Sequence, residues 1–169
     1  MSILAKENSR FECAYDKENK QLMGRLKKDV DLLDGIIDVC EANGITAGTF
    51  QCIGSLSRIG YYQFEEKEDG TLHYSKPILL DEPAELLSGT GFIGFDQENN
   101  LDIHYHGIYL DSNGKLSGGH FLRGENPVAV TIEFAIYPAN NIRLKRKPDS
   151  VFHLPIFHFS KKGGAAWKR

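Results

Sequence analysis

The feature that most limits what this chain can fold into is the stretch beyond Ile45. It is a succession of short runs rich in β-branched and aromatic residues, each closed by a cluster of Gly, Asn, Asp, Ser or Pro. Such runs are too short for helices and too regularly interrupted for anything but strands joined by turns. They are Ala47 to Cys52, Ile59 to Phe64, Leu72 to Ile78, Glu85 to Phe95, Leu101 to Leu110, Lys115 to Leu122 and Val128 to Tyr137. The breaks, among them Glu68-Asp69-Gly70 and Asp111-Ser112-Asn113-Gly114, carry residues that accept positive φ or close a local hydrogen bond. An earlier hairpin, Phe11 to Tyr15 with Gln21 to Leu26, is expected to add two edge strands.

Only one segment has helical period. From Asp29 to Asn43 the apolar residues Val30, Leu33, Ile36, Ile37 and Cys40 recur at steps of three and four, which puts them on one stripe. Asp29 and Asp31 suit the first turn, and Asn43-Gly44 is a stop signal. A single striped helix must bury that stripe on the sheet. The predicted fold is therefore α+β, a mainly antiparallel sheet packed with one principal helix in a single domain. The domain is expected over 1–140, with its core at 22–136. Residues 141–169 read as a basic C-terminal extension, in which 151–159 is apolar enough for one more strand. The charged run Asn140 to Asp149 is expected as a solvated loop, and the tail after Phe159 as a mobile end.

Charge narrows the function classes. Lys and Arg number 20 against 23 Asp and Glu, a net charge of -3, and a protein that coats phosphates usually runs basic. Only a local patch, Arg143, Lys145, Arg146 and Lys147, is left as a nucleic-acid candidate. No apolar run approaches the roughly 20 residues that span a bilayer, and the opening MSILAKENSR turns polar too soon for a secretion signal. A cytoplasmic protein is expected, with Cys13, Cys40 and Cys52 as free, buried thiols because their number is odd and no C-x-x-C pair occurs.

Gly89-Thr90-Gly91-Phe92-Ile93-Gly94 matches the dinucleotide pattern G-x-G-x-x-G letter for letter. That mechanism needs a strand before the motif and a helix opening within it. Here the motif lies inside a predicted strand and no helical period follows. It is read as glycines in a strand where another backbone comes close.

Three of the six histidines fall in one predicted hairpin. His104 and His106 are two apart on a strand, so both rings leave the same face. Whether His120 joins them depends on the turn. If Asp111 to Gly114 is a type I turn with Gly114 in the left-handed region, the loop has three residues and a G1 bulge, and His120 lies opposite His106. A two-residue Asn113-Gly114 turn instead sets His120 opposite Gly107, pointing away. Glycine in the fourth place is what the first turn prefers. Three converging imidazoles can hold zinc at about 2.0–2.1 Å per nitrogen with a fourth position open. The alternative is polar residues on a solvent-facing strand, or core histidines with satisfied hydrogen bonds.

Gly48-Thr49-Phe50-Gln51-Cys52-Ile53-Gly54-Ser55-Leu56, then Gly60-Tyr61-Tyr62, Ala84 to Gly91, His104-Tyr105-His106 and Gly114 to Leu122 together closely resemble the PPC domain, conserved between plants and prokaryotes and also called the PD1-like DNA-binding family. The resemblance runs from about Leu22 to Ile136. It implies a homotrimer and metal ligation by His104, His106 and His120, a triplet similar to that of acetolactate decarboxylase, a zinc lyase. In plant relatives the domain follows an Arg-Gly-Arg-Pro hook that grips DNA, and no such hook precedes it here. Two functions follow from this resemblance and from the residues. One is a trimeric, zinc-binding module of regulatory or assembly type, with DNA met through Arg143 to Lys147 and the basic tail. The other is a zinc-dependent lyase or hydrolase acting on a small anionic substrate, with Glu85 as a second-shell or acid/base group. Glu85 otherwise reads as an edge-strand carboxylate, Arg58 as a surface cation or an anion contact, and Cys52 as packing. His73 stands alone, and His153 and His158 face opposite sides of a strand.

Overall fold

The computed structural model describes residues 4–150 and 154–163. In chain order the elements are β1 (Leu4–Glu7), β2 (Phe11–Asp16), β3 (Gln21–Leu26), α1 (Leu32–Asn43), β4 (Gly48–Leu56), β5 (Ile59–Tyr62), β6 (Phe64–Glu66) and β7 (Leu72–Tyr74). They continue as β8 (Ile78–Leu80), β9 (Ala84–Phe95), β10 (Leu101–Asp111), β11 (Leu116–Phe121), β12 (Val128–Pro138), β13 (Ile142–Pro148) and β14 (Pro155–Lys161). The main sheet runs β1-β2-β3-β12-β4-β9-β10-β11-β5-β8, antiparallel throughout, with β13 and β14 joined at β9 by one parallel bridge from Lys145 to Phe95. The antiparallel α+β architecture read from the sequence is the one found.

α1 starts at Leu32, three residues later than the periodicity suggests. Asp29 has φ +66 and belongs to the preceding turn, while the Asp31 side chain accepts from the Leu33 and Asp34 N–H groups and caps the helix. That carboxylate satisfies donors that the first helical turn leaves without intrahelical partners. Gly44, φ +66, closes the other end, its N–H reaching the Cys40 and Glu41 carbonyls. All five stripe residues are buried, and so are Leu32 and Val39. The helix lies on one face of the sheet, touching β2 and β3 on one side and β10 on the other. Leu26, Leu32, Ile36, Phe50, Tyr105 and Ile132 meet in this layer, each essentially inaccessible to solvent. Full burial of such a side chain contributes about 1.5–3 kcal/mol.

Among the described residues nothing covers the opposite sheet face. Met23, Ile53, Leu87, Ile108, Leu116 and Val130 project there, with Val130 71% exposed. The glycine motif lies within β9, as expected; the Leu144 backbone comes close at Gly94, and rings crowd Gly89 and Gly91. A Cβ on Gly89 would overlap the Tyr105 hydroxyl and one on Gly91 the Phe50 ring.

Three expectations change. β2 is not an edge strand, because β1 pairs outside it from Leu4↔Tyr15 to Glu7↔Glu12. The charged run is not a solvated loop: Ile142–Pro148 is strand β13, hydrogen-bonded along its length to β14, with Leu144 2% exposed against Gly94. One apolar residue in a run of cations anchors the strand, and a window dominated by charge hides it. The expected strand at 151–159 begins at Pro155, its first three residues lie outside those described, and it continues to Lys161. The tail from 164 onward, and His153, also lie outside the described residues.

Candidate metal centre

The β10–β11 turn is the three-residue form. The Gly114 N–H donates to the Asp111 carbonyl and the Asp111 N–H to the Lys115 carbonyl, both at 3.0 Å, and Gly114 has φ +75. The Asp111 Oδ1 also accepts from the Asn113 and Lys115 N–H groups at 2.9 and 2.8 Å. An aspartate that wraps its own turn and a glycine that accepts left-handed backbone fix the register of both strands. The ladder then pairs Leu110 with Leu116 and, four rows on, His106 with His120.

Along β10 the side chains of Ile103, Tyr105 and Tyr109 are buried, whereas His104, His106 and Ile108 leave the other face. His120 stands beside them on β11. The ring centroids are 5.0 Å apart for His104 and His106, 5.1 Å for His104 and His120, and 5.3 Å for His106 and His120. One nitrogen from each ring falls within 4.8 Å of the other two. His104 Nε2 and His106 Nε2 are 3.1 Å apart. Two zinc–nitrogen bonds of about 2.0–2.1 Å meeting at a tetrahedral angle would hold their nitrogens roughly 3.3 Å apart, so this pair needs almost no adjustment. His120 Nδ1 is buried without a hydrogen-bond partner. A buried nitrogen left unpaired is unfavourable, and its presence in this cluster suits a ring completed by an ion.

Electrostatics keep the rings in the ligating form. Burial, then the neighbouring His104 and His106 rings and Arg146, push His120 down to about 4. Burial lowers His104 as well, helped by His106 and Arg146, and burial alone lowers His106. All three are neutral at physiological pH, which leaves a lone pair on each for a metal. Arg146 is held next to the site by an ion pair with Asp102, a hydrogen bond to the Ile103 carbonyl at 3.2 Å, and the face of Phe157 at 4.6 Å.

A pocket of about 560 Å³ opens over the three rings. Its remaining walls are Tyr62, Gln63, Phe64, Tyr74, Gly118 and Gly119. Tyr62 faces His120 across the β5–β11 ladder, and the short β6–β7 hairpin carries Phe64 and Tyr74 into place. No sequence signal tied Phe64 and Tyr74 to the histidines, because β6 and β7 pair only with each other and lie outside the main sheet.

The remaining candidates fall elsewhere. Glu85 is exposed on β9, a central strand between β4 and β10, so it is not an edge residue. It pairs with Leu110, four rows from His106 along β10, or roughly 13 Å at strand rise. Arg58 is tied to Glu125 at 3.1 Å. Cys52 is packed, with Sγ 3.1 Å from the Tyr105 hydroxyl and burial pushing its thiol up to about 12. Arg143 and Lys145 both donate to Asn99 Oδ1, at 3.1 and 2.6 Å, while Lys147 is exposed. His73 sits with Nδ1 2.8 Å from the Tyr74 carbonyl oxygen.

An antiparallel sheet backed by one helix, with three neutral histidines gathered on its open face, defines a single-domain α+β protein with a metal-competent surface site. The family model of the Plants and Prokaryotes Conserved (PCC) domain matches residues 14–140, and the chain belongs to that family. Among solved structures, a plant- and prokaryote-conserved protein of Pyrococcus horikoshii is 22% identical, with TM-score 0.68 over 90% of this chain and 97% of that one. A metal-containing protein of Archaeoglobus fulgidus is 24% identical, with TM-score 0.66 over 89% and 99%. A protein of Bacteroides thetaiotaomicron, provisionally described as DNA-binding, is 17% identical, with TM-score 0.69 over 93% and 97%. At these identities the likeness is one of fold. No curated protein matches the chain in sequence.

Proposed function

We propose that this protein is a homotrimer that binds one divalent metal ion per chain, zinc by the nature of the ligands, through His104, His106 and His120. The observation that carries the reading is the convergence of three neutral imidazoles, one of them with a buried, unpartnered nitrogen. An all-nitrogen set suits zinc better than magnesium or calcium, which prefer oxygen. The metal-containing relative from Archaeoglobus supports it. Self-association is supported by the uncovered apolar face, because contiguous exposed apolar surface of this kind marks an interaction site. Three free cysteines accord with a reducing, cytoplasmic setting.

The role we assign is regulatory or assembly-type. Contact with DNA, if made, would fall to Arg143, Lys145 and Lys147 rather than to Arg146, whose guanidinium is occupied by Asp102 and Phe157. A second reading, a zinc-dependent lyase or hydrolase for a small anionic substrate, is favoured by one observation: the pocket over a three-nitrogen site. Bound there, zinc would act as a Lewis acid toward an oxygen of the substrate. Glu85 cannot relay a proton directly within one chain at its separation from the rings.

The test is elemental analysis of tag-free protein beside the His104→Ala/His106→Ala variant, with sedimentation of both. About one zinc per chain in the wild type, lost in a variant that remains trimeric, is the expected result. Equal zinc content in the two proteins refutes the metal site. A monomer at micromolar concentration refutes the trimer. Gel-shift titration at several salt concentrations, repeated on Arg143→Ala/Lys145→Ala/Lys147→Ala, tests the DNA contact.

A further inference from the structure

The aromatic wall beside the histidines says what kind of molecule the pocket accepts, an inference that rests on the metal reading above. The Tyr74 ring lies 5.2 Å from His120, 5.6 Å from Tyr62 and 5.2 Å from Phe64. Tyr62 in turn lies 6.5 Å from His120. Three aromatic rings therefore flank one side of the three-histidine cluster, and the β6–β7 hairpin presents two of them. The floor beside them is bare because Gly118 and Gly119 carry no side chain. At Gly118 none can be added without overlapping the Gly107 carbonyl oxygen.

Charge supplies the second half of the argument. Imidazole ligands add no charge of their own, so a divalent ion held by the three histidines keeps its full double charge. Among the described residues no carboxylate lines the pocket. An open position on such an ion prefers an anionic oxygen. The neighbouring rings prefer a flat π-face at 4.5–7 Å, the offset or edge-on spacing that they already adopt with one another. The pocket's volume of about 560 Å³ is in the range of small-molecule sites and has room for one ring with a short acidic substituent.

We infer that the pocket binds a small planar carboxylate, aromatic or conjugated, with its carboxylate toward the histidine cluster and its π-face against Tyr62 and Tyr74. Neither a bare inorganic anion nor a bulky aliphatic acid uses both halves of the site.

The experiment is calorimetric titration of zinc-loaded, tag-free protein with benzoate, cyclohexanecarboxylate and acetate. Benzoate and cyclohexanecarboxylate share size and charge but only the first has a π-face. Benzoate is expected to bind roughly two- to tenfold more tightly than cyclohexanecarboxylate, the range that aromatic pairing supplies beyond area. In Tyr62→Leu/Tyr74→Leu the ratio should fall to one, with zinc content and acetate affinity unchanged, while Tyr62→Phe/Tyr74→Phe should keep the preference. Equal binding of the two ring acids, no binding of either, or a preference that survives the leucine variant overturns the inference alone if zinc is present. Absence of zinc from the wild type overturns the metal reading and this inference with it.

Discussion

Asn126 is the only fully buried polar side chain among the described residues, and replacing it tests how the site's outer strand is held. Its Oδ1 accepts from the Gly60 N–H at 3.1 Å, and its Nδ2 donates to the Gly60 carbonyl at 3.2 Å and to the Leu122 carbonyl. Its own N–H meets Asp31, the helix cap, at 2.8 Å. The side chain thus ties β5 to the end of β11, and the backbone of the same residue holds the start of α1. In Asn126→Ala three neutral hydrogen bonds are lost, at about 1 kcal/mol each. The Gly60 carbonyl keeps a donor, the Leu122 N–H at 2.8 Å, whereas the Gly60 N–H loses its side-chain acceptor. A buried N–H without a partner costs about 1–3 kcal/mol in place of the 1 counted for its bond, so the total is about 3–5 kcal/mol. Because β5 meets β11 through only His120↔Tyr62 and Phe121↔Tyr61, the same change should loosen the aromatic wall. Urea unfolding of wild type and variant at one protein concentration, with chelator present, measures the first effect. Hydrogen exchange at Gly60 to Tyr62 measures the second. A loss below 1 kcal/mol, or unchanged exchange, would refute the reasoning.

Gly89→Ala should lower stability by about 3 kcal/mol or more, since its Cβ enters the space of the Tyr105 hydroxyl; adding Tyr105→Phe should recover part of the loss in thermal unfolding. Metal-free protein should lose stability as pH falls from 6.5 toward 4. His120 is held at about 4 when folded and His104 and His106 are also lowered, so the unfolded chain takes up protons first and the stability present above 6.5 drains away. Chelator-treated samples unfolded in urea at pH 7.5 and 5.0 check this, and a flat profile contradicts it. Cys40 and Cys52, both buried and raised to about 12, should resist a thiol reagent in native protein and react once it is denatured.

Much of the site was legible because its determinants are local. Asp111 and Gly114 lie three residues apart and specify the turn through their own hydrogen bonds. The turn specifies the register, and the register puts His120 beside His106. Strand alternation then does the rest, sending His104 and His106 outward while Tyr105 goes in. Where reading failed, the deciding contact was distant. Leu144 anchors β13 through Gly94, fifty residues earlier, in a window whose charges read as loop. β1 covers β2 by a pairing that four short residues do not announce.

What the sequence alone determined is the periodicity of the strands, the single amphipathic helix and the geometry of one tight turn, because each follows from backbone sterics and from side chains within a few residues of one another. What only the tertiary structure decided is which strands became neighbours: Tyr62 and Tyr74 at the histidines, Arg146 beside them, Asn126 at the junction of three elements. Those contacts come from packing the whole sheet around one helix, where many pairings compete and only their summed burial and hydrogen bonding selects among them.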